Sequence, residues 1–353
     1  MINSSIIINT EATLLDALKK MDEVDRKLLI VCEDKCFIGV VSIGDIQRAL
    51  LRKTELSEKL KNVLRKEITV ASVGDNIMDI KALMKKDRIE CMPVINQNGM
   101  LVDTIEWNEV CEDTYSRSLD KQYPVVIMAG GKGTRLLPLT NLIPKPLIPI
   151  SNKTIIEEIM GKFAEVGCKE FYISVNYMAD SIREFFRKKD LPETEVNFIQ
   201  ETMPLGTAGS LYLLKDTLKS TFFVSNCDII AQVDFAEMMR YHKENGNMIT
   251  VLSVLKDYSI PYGTLETMEN GLLVELREKP QMVYQINSGI YILEPTVFDY
   301  INDGEYIHIT GLMERLLANH QKVGVFPISD GSWFDMGNWE EYNKVIKKYN
   351  SLA

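Results

Sequence analysis

The sequence predicts an α/β protein in which a doubly wound, mostly parallel sheet follows a smaller α+β module. Three observations support this prediction. In residues 123–353, short apolar runs typical of buried strands alternate with helical patterns, which is the order of a parallel sheet covered by helices. A glycine-rich loop follows the first of these runs. Residues 1–118 instead contain an internal repeat of strand–strand–helix units.

The composition limits the class of protein. At 353 residues, the chain is long enough for two or more domains. Its 40 basic and 50 acidic residues give a formal charge of -10, which argues against a general nucleic-acid-binding protein. Because we find neither an apolar run of roughly 18 residues nor a signal peptide, we expect a cytoplasmic protein without a membrane partner. Six scattered cysteines favour reduced thiols over a disulfide framework.

The repeat in residues 1–118 has two copies. Each copy begins with a predicted helix that has an apolar face, formed by Leu15, Leu18 and Met21 and then by Ile77, Ile80 and Leu83. Two short strands separated by a polar turn follow each helix, at 28–31 and 37–41 and then at 91–95 and 100–102. Such a unit cannot bury its sheet alone, so we expect the two copies to pack face to face.

A motif at the end of the first copy identifies the kind of repeat. Through the run Ile38-Gly39-Val40-Val41-Ser42-Ile43-Gly44-Asp45-Ile46, residues 1–118 resemble a tandem CBS-domain pair. The resemblance implies that Ser42 and Asp45 contact the ribose and phosphate region of an adenine nucleotide. The second copy has Glu106 and Glu109 at these positions, where a carboxylate would repel phosphate. Two interpretations stay open, a nucleotide sensor and a structural or dimerising module, and we expect a homo-oligomer.

The glycine-rich loop lies directly after the predicted strand at 125–128. Its run Ala129-Gly130-Gly131-Lys132-Gly133-Thr134-Arg135-Leu136 lets backbone N–H groups approach an anion closely. Arg135 and, further along the chain, Lys145 add positive charge. Leu136 stands where a dinucleotide-binding fingerprint needs glycine, and Gly133 stands where a Walker A loop needs Ser or Thr. The run therefore predicts a polyphosphate site of another kind.

Helices and strands alternate after this loop. The pattern predicts helices at 153–166, 179–188 and 208–214 and strands at 171–175, 195–199 and 222–225. Ligands of such a sheet bind at the carboxyl ends of its strands. Asp228 follows the last of these strands, which is a good place for a hard cation. Taken alone, it could also be the N-cap of a helix predicted at 234–245.

The loop and the following Pro144-Lys145-Pro146 resemble the signature of sugar-1-phosphate nucleotidyltransferases, and the resemblance extends over residues 123–345. It implies a Rossmann-like, GT-A-type fold and a reaction of a nucleoside triphosphate (NTP) with a hexose 1-phosphate that releases pyrophosphate. Arg135, Lys145 and Asp228 are the implied catalytic residues. Mg²⁺ is assigned to Asp228, where Cys227 replaces the usual glycine, and to Asp335 in a W-x-D-x-G motif.

Further motifs occur in the order of the same family. An E-K-P element contains Glu278 and Lys279, an N-S-G-I-Y element contains Asn287, and a P-Y-G turn contains Gly263; all are implied to bind the sugar phosphate. Each motif alone would be read as an exposed loop or a β-turn. The resemblance implies that the nucleotide contacts Ala129, Gly130, Gly131, Gly133, Thr134, Glu201, Pro204, Gly206 and Thr207.

The nucleobase is predicted from Glu201. A carboxylate accepts the adjacent N1–H and N2–H donors of guanine together, whereas the amide of Gln200 would suit uracil or thymine. Glu201 therefore favours GTP. The motifs also resemble guanylyltransferases for mannose 1-phosphate or glucosamine 1-phosphate, and the CBS pair adds a resemblance to the glucosamine 1-phosphate enzymes of nonulosonic (legionaminic) acid pathways. The alternatives are a uridylyl- or thymidylyltransferase on glucose 1-phosphate and a catalytically silent nucleotide-sensing subunit.

The three histidines stand outside these motifs. We interpret His242, His308 and His320 as surface residues or as residues with satisfied hydrogen bonds. A general base is not required, because a sugar 1-phosphate is largely a dianion at pH 7 and is already a nucleophile.

Overall fold

The computed structural model describes residues 4–65, 68–87, 89–110, 118–189, 191 and 193–352, without the side chains of residues 108 and 348–352. It divides into two compact units, Met1–Ser116 and Arg117–Ala353. The domain boundary predicted between 118 and 123 adjoins residues 111–117, which lie outside the described residues together with Cys111.

The first unit contains two three-stranded sheets, ordered β1-β2-β3 and β4-β5-β6. Its elements are β1 (Ile7–Asn9), α1 (Leu14–Glu23), β2 (Leu28–Glu33), β3 (Cys36–Ser42), α2 (Ile43–Leu51), β4 (Ala71–Ser72), α3 (Ile77–Asp87), β5 (Cys91–Ile95), β6 (Leu101–Glu106) and α4 (Trp107–Val110). In each sheet, the first pair of strands is parallel and the second is antiparallel. The repeated order of elements agrees with the two copies seen in the sequence.

The two repeat helices differ in how they bury their apolar faces. In α1, Leu18 and Met21 are buried as expected. In α3, Ile80 is buried, but Ile77 on the same apolar face is 50% exposed. Ile77 is the first residue of its helix, and Met84, one turn beyond Ile80, is buried. The buried face of α3 therefore lies further along the helix than the repeat predicts.

The two copies are joined through the turns between their paired strands. The Phe37 amide donates to the Gly99 carbonyl at 3.0 Å, and the Leu101 amide donates to the Lys35 carbonyl at 3.2 Å. Arg26 forms an ion pair with Glu106 at 3.2 Å. These contacts hold the first strand pair against the second.

The second unit is built on a seven-stranded sheet. Its elements are β7 (Val125–Met128), β8 (Pro149–Ile150), β9 (Lys153–Thr154), α5 (Ile155–Ala164), β10 (Glu170–Val175), α6 (Ala179–Arg187), β11 (Glu195–Gln200), α7 (Gly206–Gly209), β12 (Phe222–Asn226), β13 (Ile229–Ala231), α8 (Phe235–Asn245), β14 (Ile249–Ser259), β15 (Thr264–Thr267), β16 (Leu273–Arg277), β17 (Gln281–Leu293), α9 (Ile309–Ala318), β18 (Val323–Ser329), β19 (Trp333–Asp335) and α10 (Trp339–Leu352). Nine short 3-10 helices are distributed over the described residues of both units.

The order of the large sheet is β11-β10-β7-β12-β17-β14-β18. Neighbouring strands are parallel except where β17 lies antiparallel between β12 and β14. The sheet is thus mostly parallel, as predicted. Because every strand except β17 runs the same way, six strands end at one edge.

Helices cover both faces of this sheet. Along β7, Val125 and Ile127 face one buried cluster and Val126 faces another, as the period of two in a strand requires. The first cluster includes side chains from α5, α6, α8 and α10, and the second includes side chains from α7 and α9. This arrangement confirms the doubly wound α/β fold.

Two helices differ in their bounds from the sequence prediction, those predicted at 153–166 and at 208–214. Helix α5 begins at Ile155 because the Thr154 hydroxyl accepts from the Glu157 amide while the Glu157 carboxylate accepts from the Thr154 amide. The helix predicted at 208–214 is a short turn, α7, followed by a 3-10 helix at Ser210–Leu214. In the described part of the chain, we find no helix that is both long and apolar enough to cross a membrane.

Candidate active site

Three central strands end at the same level. Met128, the last residue of β7, lies opposite Ser174 of β10 on one side and Asn226 of β12 on the other. The glycine-rich loop follows β7, and Asp228 follows β12 after one further residue. The carboxyl edge of the sheet therefore brings the loop and the carboxylate together, as predicted for a ligand site in this kind of fold.

The glycine-rich loop leaves space for a ligand on one side and packs tightly on the other. No neighbouring heavy atom lies within 4 Å of the place where Gly131 would carry a β-carbon. Gly133 has a φ of +63°, and a β-carbon there would lie 2.9 Å from Thr140 and 3.2 Å from Lys145. The Thr140 hydroxyl donates to the Gly133 carbonyl at 3.0 Å. The loop turn therefore requires glycine and is held beside Lys145.

Lys145 forms an ion pair with Asp228. Both side chains are largely buried, with 8% and 15% of their surfaces exposed. The N-cap of α8 is Asp234, whose carboxylate accepts from the Glu237 amide at 2.9 Å, so Asp228 is free of that structural role. The structure brings two of the predicted catalytic residues into direct contact.

Asp335 is held next to Asp228 by a short strand pair. Strand β19 pairs antiparallel with β13, which places Asp335 opposite Ile229, and the Met336 amide donates to the Asp228 carbonyl at 2.9 Å. Burial raises the pKa of the Asp335 carboxyl, and the negative charge of Asp228 raises it further. Two carboxylates kept together in this way favour a cation between them.

Arg135 completes this charged group. A β-carbon on Gly337 would lie 2.7 Å from Asp335 Oδ1 and 2.9 Å from a guanidinium nitrogen of Arg135. A side chain at position 337 would therefore push against both charged groups. Arg135, Lys145, Asp228 and Asp335 come from four separate segments and meet in one place.

The donor set of this group fits a hard divalent cation. The described residues contain no group of three or more side chains of the metal-binding types His, Cys, Asp and Glu. Mg²⁺ does not need such a group, because it is commonly held by one or two carboxylates together with water and substrate phosphate oxygens. Asp228 and Asp335 could supply those carboxylates.

Glu201 lies beside Gly130, the first glycine of the glycine-rich loop. Its side chain is nearly buried, and Oε1 accepts a hydrogen bond of 2.5 Å from the Ser174 hydroxyl. A β-carbon on Gly130 would lie 2.9 Å from the same oxygen. The carboxylate is therefore fixed directly beside the loop, and a side chain at position 130 would displace it.

The backbone of Glu201 is fixed as well. Its carbonyl accepts from the side-chain amides of Asn176, at 3.3 Å, and Gln200, at 3.1 Å. The side-chain oxygen of Gln200 in turn accepts from Arg183 at 2.6 Å. Gln200 is thus engaged in supporting Glu201, an arrangement that the sequence did not predict.

The loop after Pro204 is docked on the segment before α9. Gly206 has a φ of +75°, and a β-carbon there would lie 2.6 Å from the Ile307 carbonyl oxygen. The Thr207 hydroxyl accepts from the Ile309 amide at 3.0 Å, and the Thr207 amide lies 3.4 Å from Nδ1 of His308. His308 stands outside the sequence motifs, and no sequence signal indicated its contact with Thr207.

The predicted sugar-phosphate residues lie at two positions. A β-carbon on Gly263 would lie 2.9 Å from Glu278 Oε2, so the P-Y-G turn and the E-K-P element adjoin. The Asn287 side chain accepts from the Gly289 amide at 3.0 Å, and a β-carbon on Gly289 would lie 2.5 Å from the Asn226 amide nitrogen. The described contacts include no hydrogen bond or ion pair from Glu278 or from Lys279 to the two aspartates.

In the first unit, the candidate ligand residues contact each other. Ser42 caps α2, and the Asp45 carboxylate accepts from the Ser42 hydroxyl at 2.6 Å. The same carboxylate accepts from Arg48 and Arg65, each at 2.6 Å. Although burial opposes the shift, the Arg65 guanidinium and Ser42 hold the pKa of Asp45 below its usual value. A ligand that binds Asp45 must therefore compete with Arg65.

His242 agrees with the interpretation given from the sequence. It is fully buried, with Nδ1 2.8 Å from the Thr250 hydroxyl and Nε2 3.2 Å from Glu294. Thr250 and Glu294 lie near the ends of β14 and β17 that are remote from the glycine-rich loop. His242 is therefore a satisfied core residue.

Comparisons with known proteins agree with this architecture. A model of the nucleotidyl transferase family matches residues 124–351, and a model of the CBS domain matches residues 1–52 and 60–112. The chain is 33% identical over 232 residues to "Probable mannose-1-phosphate guanylyltransferase 3" of Oryza sativa subsp. japonica, a match that covers 64% of each protein. It is 33% identical over 237 residues to the mannose-1-phosphate guanyltransferase of Saccharomyces cerevisiae, with 65% of each covered. The chain thus spans less than two thirds of the length of these relatives.

Solved structures with a similar fold include HddC from Yersinia pseudotuberculosis, with a TM-score of 0.52 and 28% sequence identity. That match covers 64% of this chain and 99% of HddC. A UDP-glucose pyrophosphorylase from Acinetobacter baumannii matches with a TM-score of 0.50 and 18% identity, over 65% of this chain and 93% of that one. The second likeness bears on the fold alone.

Proposed function

We propose that this chain, which belongs to the nucleotidyl transferase family, joins a nucleoside triphosphate to a hexose 1-phosphate and releases pyrophosphate. The observation that carries the proposal is the convergence of Arg135, Lys145, Asp228 and Asp335 beside a glycine-rich loop. Two cations and two carboxylates at the carboxyl edge of a parallel sheet suit a triphosphate bound with Mg²⁺.

We assign the nucleotide to the side of the loop where Glu201 lies. The open side of Gly131 would admit phosphate oxygens to the loop amides. The carboxylate of Glu201, fixed next to Gly130, offers adjacent acceptors for the two donors of guanine. GTP is therefore the nucleotide that this arrangement favours.

Asp228 and Asp335 would hold the metal ion. Mg²⁺ bound there would neutralise charge on the phosphate oxygens as it develops. Lys145 is paired with Asp228 and would remain close to the same phosphates. Arg135 beside Asp335 would stabilise the negative charge of the departing pyrophosphate.

The reaction depends on the placement of the two substrates more than on proton transfer. The sugar 1-phosphate is a dianion near neutral pH and attacks the α-phosphorus of the nucleotide without a general base. Its phosphate oxygen forms the new bond to phosphorus, while the bond to the pyrophosphate oxygen breaks. Lys279 would bind the sugar phosphate, and Glu278 and Asn287 would bind sugar hydroxyls near Gly263. The main contribution of the protein is to overcome repulsion between two anions.

We favour mannose 1-phosphate or glucosamine 1-phosphate as the sugar substrate. The rice and yeast relatives are named for mannose 1-phosphate, which supports the first choice. A panel of GTP, UTP, dTTP, CTP and ATP against mannose, glucosamine and glucose 1-phosphates, with pyrophosphate release measured, tests the proposal. We expect pyrophosphate release above background only with GTP and either mannose 1-phosphate or glucosamine 1-phosphate. A preference for UTP or dTTP with glucose 1-phosphate would select the alternative reaction, and no release with any pair would select the silent subunit.

We also propose that the first unit binds an adenine nucleotide at Ser42 and Asp45 and that the protein is a homo-oligomer. Arg48 and Arg65 beside Asp45 could turn to phosphate groups once a ligand displaces them. Calorimetry with AMP and ATP on wild type and Asp45→Ala tests the nucleotide assignment. Equal heats for the two proteins would reject it. A cytoplasmic location suits the free thiols at the five described cysteines.

A further inference from the structure

The hairpin formed by β15 and β16 has one apolar and one polar face. Leu265 lies opposite Leu276, and because the register shifts by one residue at Val274, Thr267 lies opposite Leu273, so these side chains share a face. The alternate positions form the other face, on which Thr264 lies opposite Arg277 and Glu266 lies opposite Glu275. We call Leu265, Leu273 and Leu276 the apolar hairpin face.

The charged side chains of the polar face form their hydrogen bonds and ion pairs within the hairpin. Arg277 donates to both carboxylate oxygens of Glu275 at 2.7 Å, and it lies 3.7 Å from Glu266. Charges on this side are therefore paired with each other. The polar face therefore gives no reason to expect a binding partner there.

The apolar hairpin face, in contrast, is left open to solvent. Leu265, Leu273 and Leu276 expose 62%, 57% and 59% of their surfaces. The turn between the strands adds Met268 and Leu272, which expose 57% and 63%. A two-stranded ribbon is at best marginally stable in water unless its apolar side is covered. Covering this face would therefore stabilise the hairpin.

The strands that lead into the hairpin also carry exposed aromatic and apolar side chains. In the pairing of β14 with β17, Tyr258 lies opposite Met282, and Tyr284 is two residues further along the same face. The rings of Tyr258 and Tyr284 pack edge to face, with centroids 6.1 Å apart, and both side chains remain about half exposed. Aromatic side chains and methionine at the surface are typical of protein interfaces.

We propose that the apolar hairpin face is the contact through which two copies of this chain associate. By their exposed fractions, its three leucines together with Met268 and Leu272 of the turn offer on the order of 600 Å² per copy, against the roughly 800 Å² that each partner gives to a standard interface. The tyrosine–methionine strip can add to this area. Among the residues that the structure describes, no other strand pairs with the outer edges of β15 and β16, so two hairpins related by a two-fold axis could also pair edge to edge.

The charge pattern of the apolar hairpin face is compatible with a second copy. The chain carries a formal charge of -10, which opposes self-association in general, but two copies that meet through this face bring no like-charged side chains into direct contact. A lipid membrane is disfavoured, because residues 264–277 carry three glutamates and one arginine, whereas membrane-docking faces are rich in lysine and arginine.

Two double variants on adjacent cross-strand pairs test this inference. Leu265→Lys/Leu276→Lys places two charges on the apolar hairpin face, and Glu266→Lys/Glu275→Lys places the same side chains on the polar face. All four positions are exposed, so neither variant removes a core side chain. Circular dichroism and thermal midpoints serve to check that both variants are folded.

Sedimentation equilibrium of the full chain, without substrate, supplies the measurement. We expect wild type and the polar-face variant to associate equally, and the apolar-face variant to associate at least tenfold more weakly or to lose one step of assembly. A monomeric wild type would overturn both this inference and the proposed homo-oligomer, and would leave the face to another partner. An oligomeric wild type with an apolar-face variant that associates equally well would overturn this inference alone. The inference rests on the proposed homo-oligomer and not on the proposed reaction.

Discussion

The Ser174 hydroxyl donates a hydrogen bond of 2.5 Å to Oε1 of Glu201. Ser174 lies at the end of β10 with only 1% of its surface exposed, and Glu201 follows β11, the neighbouring strand. The parallel register of these strands thus places a buried donor under the carboxylate that we assign to the nucleobase. One oxygen of Glu201 is fixed by the protein, and both oxygens keep lone pairs for a ligand.

Removing this donor should weaken the use of GTP. In Ser174→Ala, Glu201 loses its support, and a lost hydrogen bond of about 1 kcal/mol corresponds to a roughly three- to tenfold lower kcat/KM for GTP. Ser225→Ala is the matched control, because Ser225 is fully buried at the end of β12 and its hydroxyl donates to the Asn226 carbonyl. The ratio of kcat/KM for GTP to that for UTP should fall only in Ser174→Ala. Equal ratios in the two variants would separate Ser174 from base recognition.

The two aspartates should act as one unit. Asp228→Asn and Asp335→Asn should each lower kcat by at least about a hundredfold, and the double variant should cost scarcely more than either one. Titration with Mg²⁺ at constant GTP checks whether the losses concern the metal, since EDTA should abolish the wild-type reaction and added Mg²⁺ should restore it. Thermal midpoints of the variants serve as the control for folding. Near-normal turnover in either single variant would remove that residue from the metal site.

Lys279 and Arg135 should affect different kinetic constants. Lys279→Ala should raise the KM for the sugar 1-phosphate by about tenfold or more, because a charge-assisted contact to phosphate is lost. Arg135→Ala should mainly lower kcat, because its charge serves the departing pyrophosphate. Initial rates over a matrix of both substrate concentrations distinguish these effects. If Lys279→Ala weakened only the nucleotide, the assignment of the E-K-P element would be wrong.

Acid should destabilise the second unit partly through Glu294. Burial would raise the pKa of this carboxyl, but hydrogen bonds from His242, Lys243 and Thr221 lower it to about 2. Since the folded pKa lies below the unfolded value, Glu294 stabilises the fold above about pH 4.5, and this contribution is lost as the pH falls toward 2.

Thermal midpoints of wild type and Glu294→Gln between pH 7 and pH 3 measure this contribution. The variant should be less stable at pH 7, and the difference should narrow steadily below pH 4.5. Other carboxyls with lowered pKa values, such as Glu305, titrate in both proteins and cancel in the comparison. A difference that stays constant with pH would show that Glu294 acts only through packing.

Local patterns were enough to predict the strands and the glycine-rich loop. The apolar run at β7 and the carboxylate after β12 are contiguous features, and parallel strands necessarily end at one edge. The proximity of Asp335 to Asp228 was predicted only through the family resemblance. It depends on the pairing of β19 with β13 over a long stretch of chain, which no periodicity encodes.

Contacts that depend on register were not predictable. Ser174 reaches Glu201 because β10 and β11 pair at one particular register, and a shift of one residue would turn that hydroxyl to the opposite face. The contact of Arg65 with Asp45 likewise joins residues that lie twenty positions apart. The exposure of Ile77 followed from the place where α3 begins, which is the least certain part of a helix prediction.

Competition among nucleotides tests the central claim most directly. Wild type and Glu201→Gln are each incubated with equimolar GTP, UTP, dTTP, CTP and ATP, Mg²⁺ and mannose or glucosamine 1-phosphate, and the nucleotide sugars are quantified by mass spectrometry. We predict that wild type forms mainly the GDP-sugar. In the variant, a buried donor faces the N–H groups of guanine at a cost of about 1–3 kcal/mol, so its share of GDP-sugar should fall roughly tenfold to a hundredfold. A wild type that forms mainly UDP- or dTDP-sugar, or a variant with the same product ratio as wild type, would contradict the assignment of guanine to Glu201.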